Sequence, residues 1–301
     1  MIRTFTFPPS EESARELVNY AFRVLDCLGV IYGPVHGEFI VDENGRRWQI
    51  DNNEILEHAQ DVAQGEVSFN KERRKSGESW GHYGHQDISN LLYGDSDYSN
   101  YYIYKNKIDT RVRPLLNRMR EKFKDIIDTN INTEHGVNLK MKKIDEYNKL
   151  YNEFEKLANS FDNFEVTKLL YQIVDIDQII AISPRLLQDT ALVRYGHFDE
   201  AMCEVGETFS FESFLSTSYD DMTRKPDATS HFANKPHRWK IIILAPEGTY
   251  GTRLNAQFNA LTTEREWLLE RDQKFKVVWH GKTNDPTHPQ GKRNTVVIQL
   301  K

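Results

Sequence analysis

The spacing of apolar positions changes part-way along this chain. Between residues 85 and 182 the apolar residues recur at steps of three and four, as a helix facing a core requires. Val137, Met141, Ile144, Tyr147, Tyr151, Phe154 and Ala158 form the longest such stripe. A second helix is predicted over 107–128, with Pro114 near a start or a break, and a third over 164–181. From residue 190 onward the runs are short and β-type: 191–193, 214–216, 240–245, 267–269, 275–279 and 295–300, separated by turn residues. Helices first and strands second predict an α+β domain.

The N-terminal segment has its own pattern. Ser10 caps a predicted helix with Glu11 and Glu12 in its first turn and Gly29 past its end; Leu17, Ala21, Val24, Leu25 and Leu28 line one face. Alternating runs at 38–42 and 46–50 flank Asn44-Gly45, a strong hairpin signal, and a short helix is predicted over 53–64. Residues 1–66 therefore read as a small helix-hairpin-helix unit, and the polar stretch 67–84 as a linker or exposed loop. Residues 85–301 make the main domain, with a helical lobe at 85–182 and a β-rich core at 185–301. Repeats and low-complexity tracts are absent.

Composition narrows the class. With 39% hydrophobic and 28% charged residues among 301, the chain reads as globular. A net charge of −6 supplies no general attraction for nucleic acid. The basic runs 71–75 and 111–124 read as a solvated loop and a solvated helix face. Two distant cysteines, Cys27 and Cys203, imply no disulfide framework. The start MIRTFTFPPSEE lacks the apolar core of a signal peptide, and no run approaches a membrane span, so a cytoplasm is the expected compartment, including that of a host cell after delivery.

Two motifs are set aside. Gly77-Glu78-Ser79-Trp80-Gly81 fits the G-x-S-x-G pattern of serine hydrolases, but the apolar strand that must precede it is replaced by Lys and Arg. His82 and His85 have metal-ligand spacing, yet no Cys or acidic pattern completes a site, so no metal is expected.

Three features of the strand half matter by their order. Leu192-Val193-Arg194-Tyr195-Gly196 puts an arginine at the end of an apolar strand. Phe214-Leu215-Ser216-Thr217-Ser218 comes next, and Glu264-Arg265-Glu266 runs straight into Trp267-Leu268-Leu269. Singly, each has an ordinary reading as an ion-pair partner, a turn or a wet strand face. Together they resemble the Arg–Ser–Glu class of mono-ADP-ribosyltransferases, the arginine-directed, cholera-toxin-like enzymes of bacteria and phage. The flanks are similar too: Val205 to Phe209 before the serine strand, His231-Phe232-Ala233 after it, Lys240 to Thr249 as a strand ending in a Pro-x-Gly turn, and Lys274 to Val277 as part of a closing strand pair. The resemblance spans about 185–280, fits the preceding helices loosely and leaves out residues 1–66.

The resemblance implies an ADP-ribosyltransferase-like mixed β-sandwich core and an enzyme that takes NAD as substrate, cleaves its nicotinamide–ribose bond and transfers ADP-ribose. Arg194 would grip the diphosphate, since a planar guanidinium holds phosphate oxygens with paired hydrogen bonds. Tyr195, Gly196, Thr217 and Ser218 would complete the NAD site. Glu266 would stabilise the positive charge that builds on the ribose, and Ser216 would orient Glu266. Glu264, two residues earlier and on the same side of an extended segment, would receive an arginine of the target protein. The loop 255–263 would meet that target, with Phe258 as a contact. Residues 1–66, outside the resemblance, are open to several roles: binding an inhibitory or recruiting partner, recruiting the target or covering the cleft. A toxin, a phage protein and a defence effector all fit. Three other readings stay open: transfer to an RNA or DNA base using Arg111, Arg113, Arg118, Arg120, Lys122 and Lys124 on phosphates, NAD hydrolysis with water as acceptor, and a non-catalytic binding module.

Overall fold

The computed structural model describes residues 39–41, 47–49, 54–80, 85–93, 101–199, 204–219, 239–254, 258, 266–285, 288 and 290–301. The chain forms two compact units: Met1–Ser68 with Pro184–Ala256 and Leu261–Lys301, and Phe69–Ser183 with Gln257–Ala260.

The strand unit holds an eight-stranded mixed sheet, and with the helices this makes the α+β class that the period change predicts. Its strands are β3 (Thr190–Gly196), β4 (Thr208–Ser210), β5 (Leu215–Ser218), β6 (Trp239–Ala245), β7 (Gly251–Arg253), β8 (Glu266–Leu269), β9 (Lys274–Asn284) and β10 (Lys292–Leu300). They lie in the order β4-β9-β10-β6-β3-β5-β8-β7. The β6–β10 pair is parallel and the other pairs are antiparallel. A two-stranded hairpin, β1 (Phe39–Val41) with β2 (Arg47–Gln49), forms where alternation about Asn44-Gly45 predicts it. Helix α1 (Glu54–Gly65) matches the helix expected at 53–64.

Alternation along β3 separates two cores. Leu192 joins Leu215, Ile243, Trp267 and Val277 on one side, where Ala59 and Ala63 of α1 also pack. Ala191, Val193 and Tyr195 join Ile242, Leu244 and Val297 on the other, with Trp48 of the hairpin. The described parts of α1 and the hairpin thus supply side chains to the core of the strand unit.

The helical unit contains α2 (Lys71–Ser79), α3 (His85–Tyr93), α4 (Arg113–Ile127), α5 (Glu134–Ala158) and α6 (Phe164–Ile182). Side-chain caps fix three of the starts: Asn70 accepts from the amide of Arg73, Thr133 from Gly136, and Asn163 from Glu165 and Val166. Just before Pro114 the helical run passes through a π-helical segment, Ile108–Val112. A proline nitrogen cannot donate into the ladder, so the hydrogen bonding changes there.

Two expectations are corrected here. The polar composition of 67–84 predicts a loop, but 71–79 is helix α2. Arg73 donates Nε to Gln178 at 2.8 Å and Ser76 donates to Asp175 at 2.7 Å, so polar bonds to α6 hold a helix that has little apolar face of its own. The α5 stripe is core only in its later half. Tyr147, Phe154 and Ala158 are buried, whereas Val137 and Met141 are exposed. Lys143 Nζ meets the carbonyl of Asp125 near the end of α4, and Tyr147 meets Gln178 near the end of α6, so the first turns of α5 outrun both partners.

Candidate active site

β3, β5 and β8 are successive neighbours in the sheet. Ser216 of β5 and Glu266 of β8 meet through their side chains, and Arg194 of β3 reaches the backbone of the same serine. Arg194 sits near the end of β3, where the ladder to β5 is thin: Val193 opposite Ser218 is the bridge pair that joins them. Arg194 Nη1 donates to the backbone carbonyl of Ser216 at 2.7 Å. That bond orients the guanidinium, whose five N–H groups form a rigid fork.

β5 and β8 pair with Ser216 opposite Leu268 and Ser218 opposite Glu266. Ser216 and Glu266 are then diagonal neighbours on one face, within reach of a short side chain. The Ser216 hydroxyl donates to Glu266 Oε1. Glu266 is 9% exposed, while Arg194 and Ser216 are half-buried. Of the arginine, serine and glutamate singled out by their order in the chain, the serine and glutamate meet side chain to side chain, and the arginine is tied to the serine's backbone carbonyl. Ser218 lies directly across from Glu266 on the same face.

Four of the expected site residues are placed otherwise or lie outside the description. Tyr195 is buried with Val193 and Val297, and the Arg293 guanidinium lies 5.2 Å from its ring centroid. The strand period that directs Arg194 one way directs Tyr195 the other. Thr217 is likewise buried, and its hydroxyl donates to the Trp267 carbonyl at 2.6 Å. Phe258 is fully buried in the helical unit, 5.1 Å from Phe69 between ring centroids, so it offers no face to a target. Glu264 lies outside the described residues, as does the rest of the loop 255–263. Gly196 ends β3 beside Arg194: a Cβ there would lie 3.4 Å from the Arg194 Nε, an ordinary contact.

Three residues that sequence reasoning missed surround the start of β8. Arg253, at the end of β7, donates Nη1 to the carbonyl of Glu266 at 3.1 Å, Nε to Asp61 at 2.9 Å and Nη2 to Glu57. Glu57 and Asp61 lie one turn apart on α1, and that i,i+4 spacing was the available signal. Nothing local tied it to an arginine so far along the chain. Tyr219 is fully buried beside this group, with the Arg253 guanidinium 5.5 Å from its ring centroid. Burial pushes its phenol pKa well above the ordinary value; Arg253 opposes the rise, and Asp61 and Glu57 add to it.

The six basic residues considered for phosphate binding lie at 111–124. Four of them face acids of the same unit: Arg113 meets Asp109, Arg120 and Lys124 meet Glu121, and Lys122 meets Glu146. Among the described residues no group of three or more His, Cys, Asp or Glu is arranged to hold a metal ion, and no helix is long and apolar enough to cross a membrane.

The sequence profile of the family described as ADP-ribosyltransferase exoenzyme matches residues 138–300, more than half of the chain. Solved structures with a similar chain path include Vis toxin, an ADP-ribosyltransferase from Vibrio splendidus, at 12% identity over 82% of each chain, TM-score 0.45. An ADP-ribosyltransferase from Clostridium botulinum is 10% identical over 83% of this chain and 96% of its own, TM-score 0.45. The Clostridium limosum C3 exoenzyme is 10% identical over 83% and 94%, TM-score 0.46. A comparison with curated proteins finds no match.

Proposed function

The chain belongs to the ADP-ribosyltransferase exoenzyme family and is an NAD-dependent ADP-ribosyltransferase; from that premise we propose that Arg194, Ser216 and Glu266 perform the NAD cleavage, and that an arginine of a target protein accepts the ADP-ribose. The observation that carries the reading is the hydrogen bond from Ser216 to the Glu266 carboxylate, with Arg194 tied to the backbone of the same serine.

The chemistry asks little of these groups beyond placement. The guanidinium of Arg194 holds the diphosphate, which fixes the rest of the dinucleotide against β5 and β8. Cleavage breaks the bond between the ribose carbon and the nicotinamide nitrogen, and nicotinamide leaves with the electron pair. Positive charge then builds on the ribose. Glu266 stabilises that charge, and Ser216 keeps its carboxylate oriented before the charge appears. Water and a protein side chain compete for the same carbon, so exclusion of water favours transfer.

The arginine acceptor rests on the Glu264-Arg265-Glu266 pattern, which resembles that of the arginine-directed enzymes. Glu264 would accept hydrogen bonds from the incoming guanidinium and draw its nitrogen to the ribose. A nucleic acid acceptor fits the structure less well, because four of the six basic residues offered for phosphate contacts face acids within their own unit. The family's description as an exoenzyme fits a toxin-like effector that modifies macromolecules of another cell.

Glu264→Gln tests the acceptor. Transfer of labelled ADP-ribose to protein arginine should fall by about ten- to a hundredfold, the cost of losing a charge-assisted hydrogen bond, while nicotinamide release to water persists. Arginine modification at the wild-type rate would show the acceptor to be wrong. Label that resists protease and is lost to nuclease would transfer the assignment to nucleic acid.

A further inference from the structure

The family match begins at residue 138, yet the group around Glu266 includes two carboxylates from α1, far upstream of it. We propose that Arg253, Glu57 and Asp61 form a positioning clamp on the peptide of Glu266, so that α1 is a working part of the enzyme; this rests on the reading of Glu266 as the catalytic carboxylate.

All three edges of the Arg253 guanidinium are engaged. Nη1 reaches the Glu266 carbonyl at 3.1 Å, Nε reaches Asp61 at 2.9 Å and Nη2 reaches Glu57. The same Glu266 carbonyl also accepts from the amide of Leu254 at 3.2 Å. A carbonyl has two lone pairs, and here both are used by one short stretch of chain. Glu266 is the first residue of β8, where a ladder ends and frays most readily. The clamp acts at that end. It also reaches the residue just after β5, because Tyr219, whose ring centroid lies 5.5 Å from the guanidinium, directly follows Ser218.

Burial argues that the group does more than hold the fold. The Arg253 side chain is 4% exposed and that of Glu57 11%, while Asp61 is 38% exposed, so the buried charge pair is Arg253 with Glu57. Charges taken out of water repay little net stability, and apolar residues of the same volume serve a core as well or better. What a buried guanidinium with three fixed acceptors supplies is geometry. It sets where the Glu266 peptide lies, while Ser216 sets the carboxylate at the other end of the same side chain. A catalytic group displaced by about 1 Å can lose about a hundredfold in rate.

The test uses the full chain, with nicotinamide release from NAD at high enzyme concentration and a thermal melt for each variant. Arg253→Lys keeps the charge but cannot span three acceptors. It should lower kcat by at least about tenfold, with KM for NAD within about twofold of wild type. Placed in a Glu266→Gln background, Arg253→Lys should change the residual rate little, because a residue that acts through Glu266 has nothing left to position. A folded Arg253→Lys enzyme with wild-type kcat overturns the clamp, and so does an equal loss in both backgrounds. If Arg253→Lys does not fold, Glu57→Gln and Asp61→Asn, which preserve shape, carry the test: a reduced kcat at unchanged KM supports the clamp, and wild-type kcat in both overturns it. Should Glu266→Gln alone retain the wild-type rate, the catalytic assignment fails together with the clamp; the Arg253 result taken alone sinks only the clamp.

Discussion

Ser216 has one hydroxyl proton, and it is donated in a hydrogen bond to Glu266 Oε1. Ser216→Ala removes that donor from the carboxylate. A hydrogen bond to a charged group contributes about 1.5–3 kcal/mol, so kcat for nicotinamide release should fall about ten- to a hundredfold. Glu266→Ala removes the charge itself and should cost more, on the order of 3–4 kcal/mol of transition-state stabilisation or beyond. Both variants should bind NAD nearly as tightly as wild type, since neither alters Arg194. Calorimetric titration with NAD alongside the rate assay checks the order. A larger loss in Ser216→Ala than in Glu266→Ala would give the serine a role of its own. The residue types that meet at the candidate site, Arg194, Ser216 and Glu266, were legible in their sequence order. Tyr195 and Thr217 were not separable from them, because neighbours in a strand share a motif but face opposite ways.

At the scale of elements, α2 shows what local pattern leaves out. Its sequence is polar, its signals of helix are the Asn70 cap and Glu72 in the first turn rather than an apolar stripe, and Gly77 falls inside it. An alanine at a helix-interior glycine ordinarily stabilises by about 1 kcal/mol. Here the sign reverses. A Cβ at Gly77 would collide with the buried ring of Phe258, whose Cε1 would be 2.6 Å away. Gly77→Ala should therefore destabilise the protein by about 1–3 kcal/mol, as overpacking does. A lower midpoint in a thermal melt checks this, and a raised one would show that Phe258 does not pack there. The same contact explains why Phe258, a reasonable target contact by its loop position, is an anchor. The β-type runs were legible for six of the eight strands of the large sheet. The remaining two, β4 and β7, are three residues each, too short to show a period.

At the scale of the molecule, buried phenols set a limit on alkaline stability. Tyr147 in the helical unit has its pKa pushed up to about 12 by burial, against a smaller opposing effect from the hydrogen bond donated by Gln178. An unfolded tyrosine ionises near 10. Below that pH both states keep the proton and the contribution to stability is complete. As pH rises from about 10 through about 12 the unfolded chain ionises first, so stability is lost across that window. The loss from Tyr147 should be on the order of 2–3 kcal/mol. Tyr219 in the strand unit is shifted the same way. Denaturant melts from neutral pH upward should show the loss, and Tyr147→Phe should reduce it. A stability profile that stays flat above pH 10 would mean the phenol is solvated rather than buried as described.

The class, the change from helices to strands, the hairpin and the residue types of the candidate site can be read from the sequence. Those are carried by local physics: backbone periods, caps, turn residues and the order of a few side-chain types. Tertiary structure alone decided which faces those side chains take and what meets them. Ser216 and Glu266 are 50 residues apart, and the partners of Arg253 are 192 and 196 residues away, so no spacing rule connects them. Pairing of β5 with β8 brings the first two together, and packing of α1 against the strand sheet brings the others. In each case the deciding energy is burial of an apolar core shared by distant segments, a sum over the whole fold that no short stretch of sequence contains.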